Sequence, residues 1–185
     1  MVTDREYALS LDEKDPLRGF KSLFMITDPE MCYLDGNSLG RLPLATVSAV
    51  NEFMTGEWAA EVVTGWSHWV DEAQPTGDLL GRATLGAAPG QVLVCDTTSV
   101  NFYQLALAAI NARPGRKTII TDAANFPTDR YILDGIAKQL GLNLVIIDNE
   151  SPGSAENERI TPEILEKYLN SDVALVTLEV IQYRS

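Results

Sequence analysis

The sequence is poor in the residues that metal and redox chemistry use. It has a single histidine, His68, and two cysteines, Cys32 and Cys95, far apart and without a CxxC spacing. That pattern fits two reduced thiols and gives a metal centre or a disulfide framework little support. Basic residues are also scarce, 14 Lys and Arg against 26 Asp and Glu, for a net charge of −12. Such a balance offers no electrostatic footprint for nucleic acid or an anionic membrane, so neither partner is expected. The acidic residues are scattered over presumed helix faces, with one denser stretch from Asp148 to Glu158, and read as a solvated surface. No apolar run is long enough to span a bilayer, and the opening MVTDREYALSLDEKD is too charged for the core of a signal peptide. A cytoplasmic location is expected. Internal repeats and low-complexity segments are absent as well.

What is present is the composition of an ordinary globular protein, 45% apolar over 185 residues, enough for one sizeable core. Asp15 and Pro16 can open a short helix through Phe24, and residues 31–34 a brief extended segment running into the Gly36–Asn37 turn. Pro43 suits the first turn of a longer helix with Val47, Val50, Met54 and Trp58 on one face, while Gly65 and Pro75 read as breaks. From Gln91 the pattern becomes regular: VLVC at 92–95, a helix from about 99 to 112, TIIT at 118–121, a helix from about 128 to 140, and LVII at 144–147. After the acidic loop, Thr161 and Pro162 form an N-cap and first-turn pair for a helix to Leu169, and VALVTL follows at 173–178. Short apolar strands alternating with helices predict an α/β fold, with a mostly parallel sheet covered by helices on both faces. The expected organisation is an N-terminal arm with helices over 1–90 and an α/β domain over 91–185.

In open parallel sheets, ligands bind beyond the carboxyl ends of strands, where helix N-termini present free N–H groups. Two junctions have this character. In CDTTSVN, residues 95–101, a strand gives way to a helix through Thr97, Thr98 and Ser99, whose hydroxyls and amides can surround a phosphate; ordinary N-capping by Thr98 or Ser99 is the plainer alternative. In NFPTD, residues 125–129, Pro127 biases Phe126 toward an extended backbone that can turn its ring outward, a face suited to stacking on a flat heterocycle. The plainer alternative puts Phe126 in the core, with Thr128 capping the helix and Asp129 complementing its dipole. Neither junction carries a GxGxxG or GxxxxGK(S/T) pattern, so dinucleotide and nucleoside-triphosphate readings lack their glycines. YLDGNSLG, residues 33–40, is a tight turn holding Ser38, and GWSHW, residues 65–69, sets His68 between two large aromatics.

In order along the chain, YLDGNSLGRLP, TGWSHW, VLVCDTTSVN, NFPTDRYI and VALVTLEVIQYRS resemble the N-terminal part of kynureninase. The resemblance runs over nearly the whole chain, and GNSLG, TSVN and FPTD in register on an α/β pattern are a specific combination. It implies a partial large domain of the fold-type I pyridoxal-phosphate (PLP) enzymes, related to class V aminotransferases. These are homodimers, and kynureninase hydrolyses L-kynurenine, with 3-hydroxykynurenine as a second substrate candidate, to anthranilate or its 3-hydroxy form and L-alanine in tryptophan catabolism. By that resemblance Thr98 and Ser99 would bind the cofactor phosphate, Phe126 would stack on the pyridine ring, and Pro127, Thr128 and Asp129 would form the cofactor wall. Ser38 and His68 would be substrate-side residues. The implied chemistry is a retro-Claisen-type cleavage in which PLP withdraws electrons from the α-carbon while water attacks the side-chain ketone.

Two departures stand beside the resemblance. Where relatives often have a small hydroxyl residue and His before an NYRTG-like stretch, this chain has Glu179 and Val180. The family's Schiff-base lysine, the aspartate facing the pyridinium nitrogen and a nearby histidine are expected beyond the YRS-like segment, so the 185 residues alone are expected to lack a catalytic anchor. The five lysines, Lys14, Lys21, Lys117, Lys138 and Lys167, lie in the arm, at a strand start or late in helices. The rival readings are another fold-type I enzyme, such as a cysteine desulfurase or aminotransferase, and a catalytically silent assembly domain on the same scaffold.

Overall fold

The computed structural model describes residues 4–148, 160–181 and 183. The acidic stretch after Asp148 and the final Arg184 and Ser185 lie outside the described residues. The chain forms two compact units, Met1–Pro75 and Thr76–Ser185.

The first unit is built from short helical pieces. Helix α1, Arg5–Lys14, is capped by Asp4, whose side chain accepts from the Tyr7 amide at 2.8 Å, and its single acidic first-turn residue and terminal Lys14 suit the helix dipole. A 3-10 turn, Arg18–Leu23, stands where a short helix is expected, while residues 31–34 run without a ladder partner. Pro43 is the N-cap of α2, Leu44–Glu52, which passes through a π-helical stretch, Phe53–Trp58, into α3, Ala59–Glu61. The Gly65 break is seen: a 3-10 turn, Val62–Gly65, separates α3 from α4, Trp66–Trp69. Pro75 does not break a helix. It sits in the first turn of α5, Ala73–Leu80, where its missing N–H costs no intrahelical bond.

The second unit carries the sheet. After α6, Thr98–Asn111, the order is β1, Thr118–Asp122, then α7, Pro127–Leu140, then β2, Asn143–Ile147, then α8, Pro162–Glu166, and β3, Val173–Val176. The strands lie in the order β2-β1-β3, all parallel, with Ile119 opposite Leu144 and Leu175. Successive β1 residues point to opposite faces. Ile119 joins Ala106 and Ile110 of α6 and Leu133, Ile136 and Ala137 of α7 in one buried cluster. Ile120 joins Ile147 and Val173 in a second cluster, which Ile164 and Leu165 of α8 cover. This is an α/β sheet with helices on both faces, compatible with part of a fold-type I domain. Local signals set its helix ends: Thr161 caps α8 through the Ile164 amide, and Gly141, at φ 63°, ends α7 in the left-handed conformation that glycine adopts without strain.

The VLVC segment is a correction to the sequence reading. Among the described residues, 92–95 forms no regular element and belongs to no sheet. Its backbone lies instead on the glycine face of α5 and the turn after it: a Cβ on Gly77 would sit 2.1 Å from the Val92 carbonyl oxygen, and one on Gly81 would sit 2.8 Å from Val92 Cγ2. β-propensity marks such a run as extended without saying whether a strand pairs with it.

Candidate functional site

The connection through α7 carries the chain from β1 to β2, and the one through α8 returns it to the far side of β1. The sheet order therefore reverses between β1 and β3, and the crevice beyond their carboxyl ends is the favoured ligand position in such sheets. Buried polar groups gather there. Thr121, Asp122 and Asn125 are all but inaccessible to solvent. Thr121 Oγ1, Asn125 Oδ1, Arg130 Nε and Glu179 Oε2 find no hydrogen-bond partner among the described residues. Buried polar atoms are nearly always satisfied in folded proteins, so this grouping fits a place that receives polar ligand atoms or water.

Phe126 stands at this edge as the N-cap of α7. Its backbone is extended, φ −55° and ψ 133°, as the following Pro127 favours, and the residue is 45% exposed. The ring meets that of Tyr183 edge-on, with centroids 5.2 Å apart and planes at 74°. Pro127, Thr128 and Asp129 fill the first turn of α7, which has no side-chain cap, so Thr128 does not cap it. The Phe126 amide instead donates to Glu179 Oε1 at 2.7 Å. Partial burial holds the Asp129 carboxyl above its ordinary pKa.

At the other junction the cap is Thr97, one residue earlier than the plainer reading expects: its Oγ1 accepts from the Val100 amide at 3.3 Å. Thr98 and Ser99 then occupy the first two positions of α6, where backbone N–H groups have no intrahelical acceptor. Asp96 turns the chain into the helix with φ 47°, and Asn101 Nδ2 ties back to the Cys95 carbonyl at 2.8 Å. Because α6 packs along α7 and leads through a short turn into the start of β1, its N-terminus faces the same edge of the sheet as the start of α7. The two junctions thus share the carboxyl edge, although no hydrogen bond or ring contact joins them among the described residues.

Ser38 and His68 belong to the first unit. Ser38 Oγ donates to Asp35 Oδ1 at 2.9 Å within the turn after Tyr33. His68 Nε2 lies 2.8 Å from Glu61 Oε2, and its ring packs edge-on against Trp69, whose Nε1 donates to Glu57 at 3.3 Å. The Glu61 hydrogen bond raises the His68 pKa above 6.5, helped by the charges of Glu61, Glu57 and Glu72 and opposed by desolvation. Among the described residues the two share no hydrogen bond.

No family model matches the chain. Curated proteins do match it along its length. It is 32% identical over 192 residues to the kynureninase of Pseudomonas fluorescens, covering 100% of this chain and 43% of that protein. It is 35% identical over 182 residues to the kynureninase of Deinococcus radiodurans, covering 95% and 41%, and 32% identical over 189 residues to that of Burkholderia pseudomallei strain 1106a, covering 98% and 42%. The chain is kynureninase-like from end to end. It spans about two fifths of the length of the kynureninases it matches, consistent with the N-terminal part of such a protein.

The three lysines of the sheet unit lie away from the candidate edge. Lys14 and Lys21 are in the first unit, and Lys117 precedes β1 at the opposite edge of the sheet. Lys138 is in the last turn of α7, ion-paired to Asp134 at 2.6 Å, and Lys167 is the C-cap of α8. Sequence reasoning missed the closeness of Glu179, Tyr183 and Arg130 to this edge. Glu179 carried the one available signal, a carboxylate just past an apolar strand, but its partner lies 53 residues away.

Proposed function

We propose that the whole protein is a PLP-dependent hydrolase that cleaves L-kynurenine, or 3-hydroxykynurenine, to anthranilate or its 3-hydroxy form and L-alanine in tryptophan catabolism. In this reading it acts as a cytoplasmic homodimer, and residues 91–185 belong to the cofactor-binding domain that follows an arm and helices over 1–90. The observation that carries it is the solvent-facing ring of Phe126 at the start of α7, beside the reversal point of the sheet. The orphaned Thr121 and Asn125 oxygens at the same edge fit a polar, flat cofactor better than a dry core.

In this function Thr98 and Ser99 hold the phosphate with two helix-terminal amides and two hydroxyls, and the α6 dipole adds to its stabilisation. Phe126 stacks on the ring, while Pro127, Thr128 and Asp129 close one wall. Ser38 and His68 orient the substrate, with the His68 ring held by its hydrogen bond to Glu61. PLP, when bound, supplies the electron withdrawal that lets the bond between the side-chain carbonyl and the β-carbon break as water attacks. With no lysine of the sheet unit at this edge, the covalent anchor in this reading comes from outside that unit, and by the family pattern from beyond the YRS-like segment. Phe126 gives the test. In the full-length protein, Phe126→Ala should weaken PLP retention about 2- to 10-fold and Phe126→Tyr far less, since stacking carries about 0.5–1.5 kcal/mol beyond burial. Equal retention in the two variants would mean that the ring is not a cofactor wall.

A further inference from the structure

Phe126 is gripped by a segment distant in sequence. Its amide, at the head of a helix without a side-chain cap, donates to Glu179 Oε1 at 2.7 Å, at the short end of the normal N–H···O range. Four residues later Tyr183 packs on the edge of the ring itself. The segment that carries both is anchored at its start, where the Thr177 amide donates to the Ile120 carbonyl at 3.0 Å and extends the β1–β3 pairing past Val176. Pro127 already restricts ψ of Phe126, so the backbone freedom left to that residue is rotation about its own N–Cα bond. A hydrogen bond to its N–H restrains that rotation.

We propose that Glu179 is a positioning residue: by holding the Phe126 amide it pre-sets the ring against which the cofactor stacks. The inference rests on the cofactor reading of this edge and goes beyond it in assigning a role to the residue at which the chain departs from the family pattern. Its physical basis is preorganisation. A ring held in its bound orientation loses less freedom when a ligand arrives, so the contact gains affinity without any new atom touching the ligand. The amide is held by one carboxylate oxygen, Oε1, and a Gln side chain of the same length also supplies an acceptor oxygen there.

The experiment is equilibrium PLP titration of the full-length protein, followed by cofactor absorbance, on the parent, Glu179→Ala, Glu179→Gln, Phe126→Ala and the Glu179→Ala/Phe126→Ala pair. Glu179→Ala is expected to weaken PLP by about 3- to 10-fold, the range open to the stacking contact it supports. Glu179→Gln, which keeps an acceptor, should stay within about two-fold of the parent, and the double variant should be no weaker than Phe126→Ala, since an effect exerted through the ring vanishes with it. Additive losses in the double variant would overturn the proposal, as would parental affinity in Glu179→Ala or an equal loss in Glu179→Gln. Parental affinity in Phe126→Ala would remove the cofactor reading itself, and this inference with it. If Glu179→Ala fails to fold, Glu179→Met, similar in length but without the acceptor, is read in its place.

Discussion

The two units use similar apolar material to different ends. In the sheet unit, Ile119, Ile120, Leu133 and Ile136 are fully buried between paired strands and helices. In Met1–Pro75, the one buried residue among those described is Gly65, and it is buried because the Trp69 ring lies on it. Elsewhere in the same unit Trp66 is 62% exposed and Leu39 74%. The difference teaches that a high apolar fraction makes a core only where elements can lie side by side. Parallel strands give three layers their interior, whereas short helical pieces joined end to end leave their apolar faces in water and rely on local bonds, such as Met25 N to the Leu42 carbonyl at 2.8 Å, and on ring pairs such as Phe53 with Trp69 at 5.4 Å.

The largest test of that contrast is a pair of identical substitutions. Leu133→Ala should destabilise the sheet unit by about 2–5 kcal/mol in urea unfolding, through lost burial and a cavity, whereas Leu39→Ala should change stability by no more than about 0.5 kcal/mol. Equal effects would erase the distinction between the units. A smaller effect is expected at Gly65, where an added Cβ would come within 2.3 Å of Trp69 Cζ2 and force the indole aside. Gly65→Ala should cost about 1–3 kcal/mol and shift tryptophan emission, while Gly56→Ala, with open space at its Cβ, should leave the emission unchanged. Matching spectra for the two variants would show that the Trp69 contact is not made.

The smallest effect is electrostatic. His68 is the one histidine, so its imidazole resonance needs no assignment, and its titration midpoint should lie above 6.5 and fall in Glu61→Gln. A raised folded-state value means that the His68–Glu61 pair contributes its stabilisation fully below 6.5 and loses it as pH rises through the folded midpoint. The pair is exposed, so added salt should reduce the shift. A midpoint at or below 6.5 would mean that the pair does not form in solution.

Much of the sheet unit was legible because its signals are local. The apolar runs at β1, β2 and β3, Pro127 opening α7, Gly141 closing it and Thr161 capping α8 each act within a few residues. The extended backbone and outward ring of Phe126 follow in the same way from Pro127. What escaped was decided at a distance or by near-equivalent choices. Residues 92–95 have strand composition, but Gly77 and Gly81 offer them a helix surface in place of a strand partner. Three consecutive hydroxyl residues made the α6 cap ambiguous, and Thr97 took it. Helix α1, capped by Asp4, was not foreseen because its sequence is charged on most sides and buries nothing. The grip of Glu179 on Phe126 left only a carboxylate just past an apolar strand as its local sign, with the partner 53 residues away.

That grip also imposes an order in time. The amide and the carboxylate it donates to are 53 residues apart, whereas the β1–β2 pairing that frames Phe126 closes within 25, from Thr118 to Asn143. At about 5–20 residues per second of synthesis, the strand–helix–strand unit bearing Phe126, complete at Ile147, leaves the ribosome roughly 2–6 seconds before Glu179 follows. During that interval the aromatic ring is present but not held. A nascent chain therefore passes through a stage with its ligand-facing wall built and unbraced, until the last strand of the described sheet completes the core and the residues just after it set the ring.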